Sequence, residues 1–221
     1  METFNLKNIR KTFKNGEVEE EVLKGVNLCL RPGEITALTG ASGSGKSTLL
    51  TIAAGLQETS EGEISFKGKN LADVKEEKLR KVRAEEFGFI FQSSHLVPFL
   101  TVEEQLFMML EVAGKKKEEE EVTAILSKVG LSHRRKAYPS SLSGGEKQRA
   151  AIARSVIHRP SVLFADEPTA SLDSKKSEEV MQLLEDMTKE LGMATLLVTH
   201  ETEMLSYADR VVHMEDGKIL V

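Results

Sequence analysis

The sequence predicts an α/β domain with a mainly parallel core sheet, a small antiparallel β-subdomain and an inserted helical subdomain. Three observations lead there. The runs Val162-Leu163-Phe164-Ala165 and Thr195-Leu196-Leu197-Val198-Thr199 are apolar without alternation, as central parallel strands covered on both faces are. Residues 4–30 hold two strand candidates around the strong turn dipeptide Asn15-Gly16. Residues 93–159 hold three helical patterns and no strong strand.

Taken in chain order, Phe4 to Ile9 and Val22 to Leu30 flank the polar turn Lys14-Asn15-Gly16-Glu17, and with Glu63 to Lys67 they form the small antiparallel sheet. Ile35-Thr36-Ala37-Leu38-Thr39 reads as a buried strand entering a Gly-rich turn, with a helix from about Lys46. Phe87 to Phe91 is the next apolar strand. Helical patterns cover Thr101 to Ala113, Glu118 to Val129 and Gly145 to His158, while the charge run Lys115 to Glu121 reads as solvated helix or loop. Arg210 to Met214, an Asp216-Gly217 turn and Lys218 to Val221 close the chain as a hairpin. The expected organisation is a single domain over 1–221. Residues 1–92 and 160–221 form the α/β core with its β-subdomain, and residues 93–159 form the helical subdomain.

With 40% hydrophobic and 29% charged residues, the chain has the balance of a globular domain able to bury a core. A net charge of -5 argues against nucleic acid as a partner, since phosphate-neutralising domains are usually basic. The lone Cys29 excludes an internal disulfide or a Cys-only metal site and reads as a small buried hydrophobe. The start Met1-Glu2-Thr3-Phe4-Asn5-Leu6 lacks the basic and apolar segments of a signal peptide, and no uncharged apolar run nears the roughly 20 residues that cross a bilayer. The expectation is a cytosolic protein whose membrane role, if it has one, runs through a partner.

Gly40-Ala41-Ser42-Gly43-Ser44-Gly45-Lys46-Ser47-Thr48 fits G-x-x-x-x-G-K-[ST] between a predicted strand and a predicted helix, the context this pattern requires. Glycines let the backbone wrap an anion and turn N–H donors inward, and the helix start adds positive potential. Lys46 is expected to reach the β- and γ-phosphates, Ser47 to ligate Mg²⁺, and Thr48 to contact the α-phosphate. A dinucleotide fingerprint fits poorly, because Thr48 stands where Gly43-Ser44-Gly45 would need its third glycine.

A second strand, Ser161 to Ala165, ends in Asp166-Glu167-Pro168. Asp166 lies at a strand's carboxyl end, where α/β sheets present ligands, and can hold Mg²⁺ through water. Glu167 is placed to accept a proton from an attacking water, a role worth about 10²–10⁴ in rate. Upstream stands Leu142-Ser143-Gly144-Gly145-Glu146-Lys147-Gln148-Arg149, where a serine and two glycine amides open a helix as a second anion site.

In these motifs the chain resembles the ABC (ATP-binding cassette) ATPases, whose signature reads L-S-G-G-[QE] before a helix. The resemblance covers Phe4 to Val221, with six motifs in order, and implies the P-loop NTPase fold of that family, with ATP and Mg²⁺ as its cofactors. It implies that Ser143, Gly144, Gly145 and Glu146 of one copy close over the γ-phosphate held by the other, in a head-to-tail homodimer around two ATP molecules. It gives Gln92 the Q-loop role beside Mg²⁺ and the attacking water, and sets Asp173 of Ser171-Leu172-Asp173 at the dimer interface. It makes His200 the switch histidine on the γ-phosphate. His95, His133, His158 and His213 match no motif. Phe13 sits where the family stacks an aromatic ring on adenine, and a place in the core of the small sheet is its other reading. Glu146 stands for the commoner glutamine and Ala170 for a frequent glycine before the D-loop.

A single compact cassette is most similar to the group serving lipoprotein release, macrolide export, cell-division signalling and antimicrobial-peptide resistance. The resemblance also implies an integral membrane permease docking near Gln92 to Leu100. Phe99 and Leu100 have a second reading, as core packed on the helix that starts near Thr101. A soluble ABC ATPase in cofactor assembly or nucleic-acid work is the rival function. A monomeric kinase or GTPase is disfavoured, because it would need no signature and a GTPase would need a guanine-reading Asn-Lys-x-Asp segment.

Overall fold

A computed structural model describes residues 3–16 and 18–220. Glu17 of the predicted turn and Val221 of the predicted closing strand lie outside the described residues. The N-terminal hairpin pairs β1 (Phe4–Asn15) with β2 (Val18–Leu30) and runs closer to its turn than the apolar pattern indicates. Its outer half is polar on both strands and is held by cross-strand ion pairs such as Lys14–Glu19 at 2.7 Å and Arg10–Glu21 at 2.6 Å.

The chain continues through β3 (Ile35–Thr39), α1 (Lys46–Ala53), β4 (Glu61–Phe66), β5 (Lys69–Asn70), α2 (Glu76–Glu86) and β6 (Phe87–Ile90). Three helices follow: α3 (Val102–Val112), α4 (Glu119–Lys128) and α5 (Gly144–Val156). Then come β7 (Val162–Asp166), α6 (Ser174–Leu191), β8 (Ala194–Val198) and the closing hairpin of β9 (Arg210–Glu215) and β10 (Lys218–Leu220). Strands β2-β1-β4-β5 form an antiparallel sheet. The larger sheet has the order β10-β9-β3-β8-β7-β6 and is parallel except for β10.

The unalternating apolar runs follow from this layering. Along β7, Leu163 and Ala165 face a core shared with α3, α4, α5 and α6, while Val162 and Phe164 face a second core shared with α1 and the antiparallel sheet. Phe4, Phe66, Phe87 and Phe164 join the two sheets with edge-on ring contacts, such as Phe66–Phe87 at 5.3 Å and Phe87–Phe164 at 5.4 Å.

Helix α2 leaves almost no trace in the sequence. Only Leu79 and Val82 among its eleven residues are apolar and packed, so its pattern is too sparse to register as amphipathic. Cys29 departs from its expected burial. It is half-buried, with its Sγ 3.6 Å from Arg210 Nη1, because the outer face of β2 there is partly open. Among the described residues no helix is long and apolar enough to cross a membrane.

Candidate functional site

Between β3 and α1 the chain turns through Gly40–Gly45, and the geometry requires glycine at both ends of this turn. Gly40 has φ +147°, and a Cβ there would lie 2.0 Å from the Met214 carbonyl oxygen. Gly45 has φ +102°, and a Cβ there would meet Leu23 Cδ2 at 2.9 Å. Gly45 caps α1 without any side-chain acceptor, so the first amides of that helix stay available to an anion. Lys46 is buried and its Nζ donates to the carbonyls of Gly40 and Ala41, both at 2.8 Å. Ser44 is also buried, and its Oγ has no partner among the described residues. Ala41, Ser42 and Gly43 form the exposed rim.

This loop walls a cleft of about 680 Å³ that Ser47, Thr48, Val22, Glu167 and His200 also line. The Ser47 hydroxyl donates to Asp166 Oδ1 at 3.5 Å, at the long limit of a hydrogen bond. Burial at the end of β7, with the neighbouring Glu167 charge, raises the Asp166 pKa, and the Ser47 and Lys46 contacts oppose that shift. Glu167 has φ +47°, a costly backbone region for a non-glycine residue. Its N–H donates to the Val198 carbonyl at 2.9 Å, and its carboxylate accepts from His200 Nδ1 at 2.9 Å. The ends of the adjacent strands β7 and β8 thus bring Glu167 and His200 together at the mouth of the phosphate loop.

Gln92 is exposed just beyond β6 and lines a neighbouring cleft of about 550 Å³ with Ser93, His95, Gly144, Lys147 and Asp166. Ser143 caps α5. Its Oγ accepts from the Glu146 N–H at 3.3 Å, while Glu146 Oε2 accepts from the Ser143 N–H at 2.8 Å. Asp173 caps α6 by accepting from the Lys176 N–H at 3.1 Å. Ser143, Gly145, Glu146 and Asp173 line neither cleft. Phe13 also lies outside both, 39% exposed, with Lys11 Nζ 5.2 Å from its ring centre, so the reading of Phe13 as core fails. Phe99 is 75% exposed, which likewise removes it from the core, whereas Leu100 is half-buried.

The family model for "ABC transporter" matches residues 23–170, more than half of the chain. The chain belongs to the ABC transporter family. The cassette is an ATP-binding, ATP-hydrolysing transporter subunit whose nucleotide is ATP with Mg²⁺. It is 48% identical over 216 residues to "Putative hemin import ATP-binding protein HrtA" of Staphylococcus haemolyticus, covering 97% of each chain. The Staphylococcus saprophyticus protein of the same name is 43% identical over 98% of each. Among solved structures it superposes on the ATP-binding cassette MJ0796, in its dimeric post-hydrolysis state bound to ADP and Pi. That match has a TM-score of 0.89 at 35% identity, over 99% of this chain and 97% of the other. It also superposes on cbiO1 from Clostridium perfringens, part of the ABC transporter complex cbiONQ, with a TM-score of 0.86 at 31% identity, over 100% and 87%. The P-loop ABC ATPase fold is therefore that of this chain.

The cassette's residues fit MgATP on their own geometry. A cradle closed to Cβ atoms, an orphaned buried hydroxyl at Ser44, a buried ammonium at Lys46, and Ser47 beside Asp166 are the donor set for a triphosphate and an oxygen-loving cation. Two working residues escaped the motif reading. Gln148 Nε2 donates to the Phe91 carbonyl at 3.4 Å, and Arg154 donates to the carbonyls of Ser94 at 3.0 Å and His95 at 2.7 Å. Helix α5 thereby grips the loop that carries Gln92, where His95 holds a strained φ of +44°. Gln148 is buried and Arg154 half-buried on α5, and a polar residue on a helix does not by itself distinguish a gripping side chain from an ordinary one.

Proposed function

We propose that the cassette works as a head-to-tail pair that closes around two MgATP and passes its opening and closing to a separate integral membrane permease. One observation carries this reading. Among the described residues two helix starts are suited to a phosphate, those of α1 and α5; α1 shares a cleft with Glu167 and His200, while Ser143 lies outside it. A second copy brings Ser143, Gly144, Gly145 and Glu146 to the open side of that cleft, and Asp173 lies along the seam. The dimeric form of the MJ0796 cassette supports the pairing.

Within each pocket, the amides of Gly40–Thr48 and the Lys46 ammonium hold the phosphates, and Phe13 offers its exposed ring to adenine. Ser47, Asp166 and Gln92 would hold Mg²⁺, which would supply neutralisation of phosphate charge. Glu167 takes the proton of the attacking water. His200, oriented through Nδ1 by Glu167, presents its other nitrogen to the γ-phosphate. Residues 93–159 serve as the helical signature subdomain, and residues 1–92 and 160–221 as the nucleotide-binding core with its β-subdomain. The permease docks near Gln92–Leu100, where the exposed Phe99 ring supplies an apolar contact. The cassette then sits on the cytoplasmic face of the membrane through that permease, with no nucleic acid involved.

The motifs Ala165-Asp166-Glu167-Pro168-Thr169 and Leu142-Ser143-Gly144-Gly145-Glu146 carry the likeness to the group serving lipoprotein release, macrolide export, cell-division signalling and antimicrobial-peptide resistance. The staphylococcal relatives' name makes hemin the first cargo to try, as stimulation of turnover in the cassette–permease complex. The soluble alternative without a membrane partner draws no support from relatives named for import. Glu167→Gln tests the central reading. It should lower turnover by about 10²–10⁴ and form a stable dimer with ATP by light scattering. A hydrolysis-dead variant that stays single-chain when saturated with ATP defeats the two-copy pocket.

A further inference from the structure

The start of α5 is short of donors. The capping box uses the N–H groups of Ser143 and Glu146, and the Lys147 N–H donates to the Ser143 carbonyl at 2.9 Å. The amides of Gly144 and Gly145, with no acceptor inside the helix, are left to meet an incoming phosphate. The third residue of that helix is itself an anion. Hydrogen bonds from the Ser143 backbone and from Arg134 lower the Glu146 pKa to about 2, so its carboxylate is charged at any working pH. A carboxylate one turn from a nucleotide phosphate repels it, and a helix start cannot serve both equally.

Arg134 resolves this conflict. Its Nε donates to Glu146 Oε1 at 2.8 Å, leaving Oε2 on the Ser143 amide, and His133 Nε2 stands 3.8 Å from the same Oε1. The Glu146 side chain is only 12% exposed, so solvent screens the charge less than at an open surface. The turn that carries Arg134 is anchored through residues 134–137. The Arg134 carbonyl accepts from Ala137 at 2.8 Å, and the carbonyls of Arg135 and Ala137 accept from the Glu103 and Val102 amides at 3.1 and 3.0 Å. The buried Glu103 also pairs with Arg135 and Lys136. The backbone that carries the guanidinium is thus held beside the first turn of α5, and the Glu146 carboxylate orients the guanidinium itself.

We propose that Arg134 is a positioning residue of the two-copy pocket: it cancels the Glu146 charge and holds that carboxylate on the Ser143 amide, so that the start of α5 accepts the phosphate bound by the other copy. The role deepens the two-copy reading and rests on it. It is tied to the identity of residue 146, because glutamine would make the capping bond without a charge to cancel.

The test is a double-mutant cycle on ATP turnover of the full chain, with Arg134→Ala, Glu146→Gln and both together, at low and moderate salt. Arg134→Ala should lower kcat about 10-fold at low salt, equivalent to about 1.4 kcal/mol. The loss should shrink relative to wild type as salt screens the carboxylate that the missing guanidinium uncovers, while ATP affinity of the isolated chain stays unchanged. In the Glu146→Gln background the same substitution should change kcat by less than about 2-fold. Equal losses in both backgrounds, a loss indifferent to salt, or an Arg134→Ala enzyme within about 2-fold of wild type each overturn the role. Arg134→Gln keeps most of the side chain and is held to the same outcomes if Arg134→Ala loses the fold. Ser143→Arg separates the two claims. If it leaves turnover and dimerisation intact, the two-copy pocket fails and the Arg134 role with it. If it is inactive while Arg134→Ala is silent, the Arg134 role alone fails.

Discussion

Lowering the pH from 7.5 to 5 should weaken the fold chiefly through His158, a residue outside every motif. Its imidazole is fully buried behind β6, with Nε2 donating to the Phe87 carbonyl at 3.1 Å and Nδ1 without a partner among the described residues. Burial, the largest cause, and the nearby Lys115 charge lower its pKa from 6.5 to about 4, although the Phe87 bond opposes them. The folded state therefore binds this proton less readily than the unfolded chain does. The stability it contributes is complete above pH 6.5 and is lost as pH falls through the window between 6.5 and 4. Integrating that difference gives a loss of about 1 kcal/mol at pH 6, about 2 kcal/mol at pH 5, and about 3 kcal/mol in full. Urea denaturation of wild type and His158→Gln at pH 7.5, 6 and 5 measures it. Glutamine can keep a donor for the Phe87 carbonyl and does not titrate, so the variant's stability should fall by about 2 kcal/mol less than wild type's by pH 5. Parallel pH profiles for the two proteins would refute the assignment.

Two further perturbations probe the nucleotide site. Gly40→Ala should cut ATP affinity by at least about 10-fold in calorimetric titration, because its Cβ would collide with the Met214 carbonyl 2.0 Å away and push the phosphate loop from its cradle. Unchanged affinity would mean the loop tolerates a side chain there. Arg154→Met should free the carbonyls of Ser94 and His95, costing about 1–3 kcal/mol, and speed amide exchange in residues 92–96 while ATP binding holds. Unaltered exchange would show that the loop does not depend on that grip.

The parts of the molecule legible from sequence are those where one local requirement dominates. The phosphate loop announces itself because its backbone path excludes side chains at Gly40 and Gly45. The central strands do so because two cores claim opposite faces of β7 and β8. Legibility fails where tertiary context decides. Helix α2 is mostly charged, and its two packed residues carry too little pattern to outweigh its polarity. The outer half of the N-terminal hairpin is stabilised by ion pairs across polar strands, which apolar periodicity cannot detect. At the site, the glycines, Lys46 and the acid pair are fixed by spacing along the chain. Gln148, Arg154 and Arg134 act across 57, 59–60 and 12 residues, and nothing local distinguishes them from other polar positions on or near a helix.

The two-sided packing of β7 has a consequence for evolution of the enzyme's speed. Asp166 ends this strand and Glu167 follows it, so the positions of the metal-facing and proton-accepting carboxylates are inherited from whatever fills the space above and below. A change at Phe4 or Phe87 on one side, or at Leu184 on the other, reaches the chemistry without touching it. Tuning of turnover by distant hydrophobic substitutions is thus open to this cassette from both faces of its sheet.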